Sequence, residues 1–78
     1  MDEKRIFTQR LKLLDHLKQG LPITQRKAEI GYGIARLSAR ILELKKAGWP
    51  IAKKMVQVVN REGKAVRVAE YWLDEDAA

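Results

Sequence analysis

The sequence predicts a mainly α fold with a small β-hairpin, in the order three helices and then two antiparallel strands. Three observations carry this. Apolar residues recur at helical spacing as far as Ala47, and short β-branched runs replace them from Met55 onward. Gly20 with Pro22, and Gly48 with Pro50, mark the ends of the first and third helices. The segment Asn60-Arg61-Glu62-Gly63-Lys64 has turn composition and divides the last apolar stretch in two. A chain of 78 residues makes one domain, with an ordered core expected over about 6–73 and an acidic tail over 74–78.

In the first helix, Thr8 is the expected N-cap and Gln9 to Gln19 the body. Phe7, Leu11, Leu13, Leu14 and Leu17 fall on one side and Gln9, Lys12, Asp15, His16 and Gln19 on the other, so the helix is amphipathic and His16 reads as a solvated surface residue. Thr24 is a second cap, opening a short helix from Gln25 to Ile30. Gly31-Tyr32-Gly33 then permits a sharp change of direction. As a phosphate-cradling loop it is weak, because a third glycine, a preceding strand and a Gly-Lys-Thr run are all missing.

The third helix is expected from Ile34 to Ala47. Ile34, Leu37, Ile41 and Leu44 form its core stripe, and Ala35, Arg36, Ala39, Arg40, Glu43 and Lys46 its free side. Leu14, Leu17, Leu37, Ile41 and Leu44 are the predicted core. Met55–Val59 and Ala65–Leu73 are the two strands, with Ala69, Tyr71 and Leu73 on the inward face. Two strands alone are marginal, so the hairpin must pack on the helices, with a further short strand near 21–23 or 49–51 as an option. Trp49 and Trp72 are expected to close the small core; self-contact is their other use.

Composition narrows the function. Without cysteine there are no disulfides, thiolate metal sites or cysteine nucleophiles. His16 has no second histidine to help bind a metal, and Ser38 lies within a helix rather than on a nucleophile elbow, so an enzyme is disfavoured and no cofactor, metal or small-molecule ligand is expected. No apolar run approaches the ~20 residues of a membrane span and the N-terminus lacks a signal-peptide core, which reads as a cytosolic protein. Residues 4–73 carry all 16 basic residues against five acidic ones, although the whole chain is only +6. A small folded body this basic points to a polyanion, nucleic acid first and anionic lipid second.

A short helix joined by a tight turn to a longer amphipathic one is the helix-turn-helix plan, and the appended hairpin makes it a winged helix. The expected DNA-binding residues follow from that plan. Arg36 and Arg40, with the small Ala35 and Ala39 beside them, are placed to meet a major groove. Arg26 and Lys27 open the second helix, Lys53 and Lys54 precede the first strand, Arg61 and Lys64 occupy the hairpin tip, and Arg67 lies behind it. Pairing of Arg36 with Glu43 or Asp15 is the alternative to base contact.

The run Arg36-Leu37-Ser38-Ala39-Arg40-Ile41, then Leu44, Gly48 and Ile51, resembles the R-L-[SA]-A-R-I-x-x-L-x-x-x-G-x-x-I signature of small phage and prophage helix-turn-helix proteins. Ile23-Thr24, Ala28 and Gly33 fall at matching spacing, so the resemblance covers about residues 9–73; Gly31 departs from the apolar residue more usual there. It implies a winged helix that binds double-stranded DNA in the cytoplasm of a bacterium or phage-infected host, as a transcriptional regulator or an excisionase-like architectural factor. Homodimerisation on a palindrome, or stacking on repeated sites, is expected, because one module covers only about 600–1,000 Å² on DNA. The other class to weigh is a winged-helix protein-interaction module, with the tryptophans as anchors.

Overall fold

The computed structural model describes residues 3–74, so the expected acidic tail lies outside the described residues except for Asp74, whose amide donates to Pro50 O at 2.7 Å. The elements run α1 (Glu3–Lys18), β1 (Ile23–Thr24), α2 (Gln25–Tyr32), α3 (Leu37–Lys46), β2 (Ile51–Val59) and β3 (Ala65–Leu73). The sheet order is β1-β3-β2, antiparallel throughout. This is a three-helix body with a β-hairpin wing, and two nine-residue strands make the sheet share substantial.

The first helix starts earlier than the capping signal suggested. Thr8 lies within α1, and its hydroxyl donates back to Lys4 O at 2.9 Å, one helical turn away. Leu13 and Leu17 are fully buried, whereas Leu14 is only half-buried and Phe7 and Leu11 are about half exposed. The apolar side of α1 is thus wider than the surface that α2, α3 and the sheet cover. His16 is not a solvated residue. Its Nδ1 lies 2.7 Å from the Tyr32 hydroxyl and its Nε2 lies 3.1 Å from Pro22 O. A carbonyl oxygen only accepts, so Nε2 carries the hydrogen there and Nδ1 accepts from the tyrosine. The rings meet edge to face, centroids 5.5 Å apart, and tie the end of α1 to the end of α2.

Ile23 and Thr24 pair with Tyr71 and Glu70, which supplies the optional third strand. Thr24 is also the N-cap of α2, its hydroxyl accepting from Lys27 N. That helix continues through Gly31 to Tyr32. Gly33 alone makes the turn, at φ 66°, a left-handed backbone that glycine adopts at low cost; its amide donates to Glu29 O and the next amide, of Ile34, to Ala28 O, both at 3.1 Å.

The third helix begins three residues later than expected. Ile34 is fully buried but sits in the turn, outside the helix, and Arg36 is the N-cap position, where no side chain caps the helix. Gln25 takes over part of that task. Its Nε2 donates to Ile34 O and Ala35 O, both at 3.0 Å, and lies 2.9 Å from Glu29 Oε1, while its Oε1 accepts from Leu37 N at 2.8 Å. The first residue of α2 therefore sets where α3 starts.

Leu13, Leu17, Ile23, Ala28, Ile34, Leu37, Ile41, Leu44 and Ile51 form the core, with Leu14, Tyr32, Trp49, Tyr71 and Leu73 packed around it. The inward face of β3 thus holds Tyr71 and Leu73, as the alternation required. Trp72 points the other way, opposite Ala52, and Lys54 Nζ stands 5.7 Å from the centre of its ring. Of the two tryptophans only Trp49 packs on the core, under Lys18 at 4.7 Å. The strand β2 begins at Ile51 rather than at Met55, and at ~3.3 Å per residue its nine residues span about 30 Å. Its tip is tied by Asn60, whose Oδ1 accepts from the amides of Glu62 and Lys64, each at 3.0 Å.

Candidate nucleic-acid interface

The core stripe Leu37, Ile41 and Leu44 fixes the rotation of α3. At about 100° per residue, Ala39, Leu42 and Lys46 then face away from the core, with Ser38 and Lys45 on the flank towards the wing and Arg40 on the flank towards α1. Leu42 is 52% exposed, a large apolar side chain left in solvent on a helix with ample core of its own. Between α3 and the sheet lies an open groove of about 380 Å³, whose lining includes Arg36, Ser38, Leu42, Lys45, Lys53 and Tyr71. Among the described residues no carboxylate lines it, and three cations, Arg36, Lys45 and Lys53, do.

The expected site residues divide between this groove and other surfaces. Arg36 lies at its mouth, exposed, and Ala39 is half-buried in its wall. Ala35 precedes α3 and turns its carbonyl to Gln25. Lys53 and Lys54 lie within β2, not before it, and adjacent strand residues point to opposite faces. Lys53, opposite Tyr71, faces the groove; Lys54, opposite Glu70, faces away and pairs with that carboxylate at 3.7 Å. Arg67, opposite Gln57, shares the Lys53 face farther along the wing, and Arg61 and Lys64 are exposed at the tip. Arg26 and Lys27 are exposed on α2, but they border a shallow depression with Ile30 and His16 rather than the groove.

Arg40 departs most from expectation. Its side chain is only 12% exposed, with Nε 2.8 Å from Glu43 Oε1 and a second nitrogen donating to Glu43 Oε2 at 3.2 Å. The Nε–H is misaligned, so the shorter contact is an ion pair and the longer one the hydrogen bond. Arg10 of α1 approaches the same carboxylate at 3.7 Å. The pairing foreseen for Arg36 with Glu43 is made by Arg40 instead, within α3, and the Arg10 contact is the one that links α3 to α1.

Sequence reasoning missed Ser38, Leu42 and Lys45 as groove residues. Their spacing of four and three is itself a helical stripe adjoining the core stripe, and it becomes visible once Ile34 is removed from the helix. Lys45 had an adequate explanation as a cation at a helix C-terminus.

The family model of the winged helix-turn-helix domain matches residues 8–76. The chain belongs to this family. No curated protein and no solved structure matches it. Domains of this kind are typically non-enzymatic DNA-binding modules, so membership suggests DNA as the partner. No described helix is long and apolar enough to cross a membrane.

Proposed function

We propose that this winged helix-turn-helix chain is a sequence-specific double-stranded DNA-binding protein, acting as a phage or prophage transcriptional regulator or an excisionase-like architectural factor. The observation that carries DNA binding is the groove between α3 and the wing, where Arg36, Lys45 and Lys53 converge and no described carboxylate joins them. In this reading α3 enters the major groove with Ser38, Ala39 and Leu42 towards the base edges, where a hydroxyl serves as donor or acceptor and an apolar side chain meets a thymine methyl. Lys53 and Arg67, with Arg61 and Lys64 at the tip, hold one strand's phosphates along the wing. The R-L-S-A-R-I run supports the phage assignment.

Selection from random duplex DNA followed by salt-titrated binding tests this. A recovered motif, with log K falling by about 0.9 per phosphate neutralised against log[salt], is the expected result. Inverted repeats among the selected sites support a homodimer. Duplex affinity that is absent at low salt, or indifferent to salt, refutes the proposal and favours a protein-interaction module, for which the exposed Phe7 and Leu11 beside Trp49 offer an apolar surface.

A further inference from the structure

A second concavity, of about 210 Å³, lies on the opposite flank of α3, against α1. Arg5 from the first turn of α1, Arg36 from the start of α3 and Arg40 from its second turn all line it, with Gln9 and Gly33 between them. Among the described residues no carboxylate does. Glu43 is turned to Arg40 and Arg10, and Glu29 is held by Gln25 behind the Ile34 and Ala35 carbonyls. Among the described residues neither Arg5 nor Arg36 makes an ion pair or hydrogen bond through its guanidinium. Gln9 donates to Gly33 O at 3.1 Å and so braces the wall between them.

We propose that this pocket binds a single DNA backbone phosphate, gripped by Arg5 and Arg36, on the strand opposite the one that runs along the wing. Two unpartnered guanidiniums converging on one small concavity match the planar, bidentate geometry that arginine offers a phosphate. Arg40, largely buried in the wall, is paired with Glu43, so the grip falls to Arg5 and Arg36. The position follows from the fold. Arg36 lines both this pocket and the groove beside the wing, so the start of α3 stands as a ridge between two basic hollows. A major groove is about 12 Å wide and has a phosphate strand on each side, so a helix inserted in it needs one hollow per strand. The inference rests on the DNA-binding reading and adds α1 to the contact surface.

The test is the duplex affinity of the full chain, by fluorescence anisotropy across a salt series. The variants are Arg5→Ala, Arg36→Ala, their double and Lys53→Ala, with folding checked by circular dichroism. Arg5 is exposed, so its removal leaves the fold intact. Arg5→Ala is expected to weaken both selected and random duplex about three- to tenfold at low salt and to reduce the salt slope by about one. The double variant is expected to lose about one unit in total, since both arginines hold the same phosphate. A double loss of about two units means two separate contacts and overturns the shared pocket. An unchanged slope for Arg5→Ala, while Lys53→Ala loses one, overturns the pocket and leaves the DNA-binding reading standing. Wild-type protein that shows no salt-dependent duplex binding overturns both. Inorganic phosphate titrated by NMR separates a free-anion site: saturable binding abolished by Arg5→Ala, with the duplex slope unaltered, overturns the assignment to DNA.

Discussion

Gln25 joins the two helices that define the helix-turn-helix, and Gln25→Ala measures how much that joint is worth. The side chain receives the Leu37 amide on its oxygen and gives its hydrogens to the turn that precedes α3. Leu37 is itself 1% exposed, so its amide has little chance of finding water once the acceptor is gone. A buried donor left unsatisfied costs about 1–3 kcal/mol, and each ordinary hydrogen bond lost adds about 0.5–1.5 kcal/mol. The exposed Ala35 carbonyl recovers solvent, which offsets part of this, whereas Ile34 is fully buried. The expected loss is therefore about 2–3 kcal/mol, out of roughly 4–12 kcal/mol for a chain of this length. Urea denaturation with an unchanged m value reads it, and native-state hydrogen exchange at Leu37 localises it. Gln25→Glu is the stricter probe. It keeps an acceptor for Leu37 but sets a second oxygen against two carbonyls and Glu29, so it should be at least as destabilising as alanine. A loss below about 0.5 kcal/mol for alanine, with exchange at Leu37 unaltered, refutes the role given to this joint, because the amide would then have found another partner at no net cost.

The ion pair of α3 gives a second expectation. Arg40→Ala should cost about 1–2 kcal/mol, between the value of a surface pair and that of a buried one, and a double-mutant cycle with Glu43→Ala should return a coupling near 1 kcal/mol. Ile41→Ala should lose about 2–5 kcal/mol in the same urea assay, as a large-to-small change at a 2% exposed position. The two neighbouring lysines of β2 should differ: Lys53→Ala should weaken duplex binding and take about one unit from the salt slope, while Lys54→Ala should leave affinity within about twofold. Mobility-shift titrations at two salt concentrations compare them.

Most of the fold was legible because its punctuation is local. Thr24, Gly48 and the Asn60–Lys64 turn act on their immediate neighbours, and each stands where its chemistry required. What escaped was long-range. Ile34 continues the core stripe of α3 in sequence, yet its buried side chain is supplied from a turn that Gly33 and Gln25 hold open. Counting it as helical rotates the apparent stripe away from Arg40, which therefore looked free. His16 meets a tyrosine sixteen residues away, and nothing adjacent in sequence announces it. The separation of Lys53 from Lys54 needed only the parity of β3, but starting β2 at Met55 left both outside the strand, where parity has no meaning.

The rotation of α3 also changes what its signature run means. Within Arg36-Leu37-Ser38-Ala39-Arg40-Ile41, Leu37 and Ile41 are core, and Arg40 is committed to Glu43. Leu37 and Ile41 hold the helix to the body, and the Arg40–Glu43 pair, approached by Arg10, lies on the flank towards α1. Ser38, Ala39, Leu42, Lys45 and Lys46 lie on the other side and none is among the buried core residues. Packing and exposed chemistry are thus carried by separate residues of one ten-residue helix. A change at Ser38 or Leu42 alters what the helix presents at little cost to stability, because surface substitutions usually shift it by no more than about 0.5 kcal/mol. A change at Leu37 or Ile41 does the reverse. The recognisable part of the run is therefore mainly a packing pattern, and proteins that resemble one another in it share a way of mounting the helix. They need not share a DNA sequence, since the residues placed to read one are those the scaffold leaves free to vary.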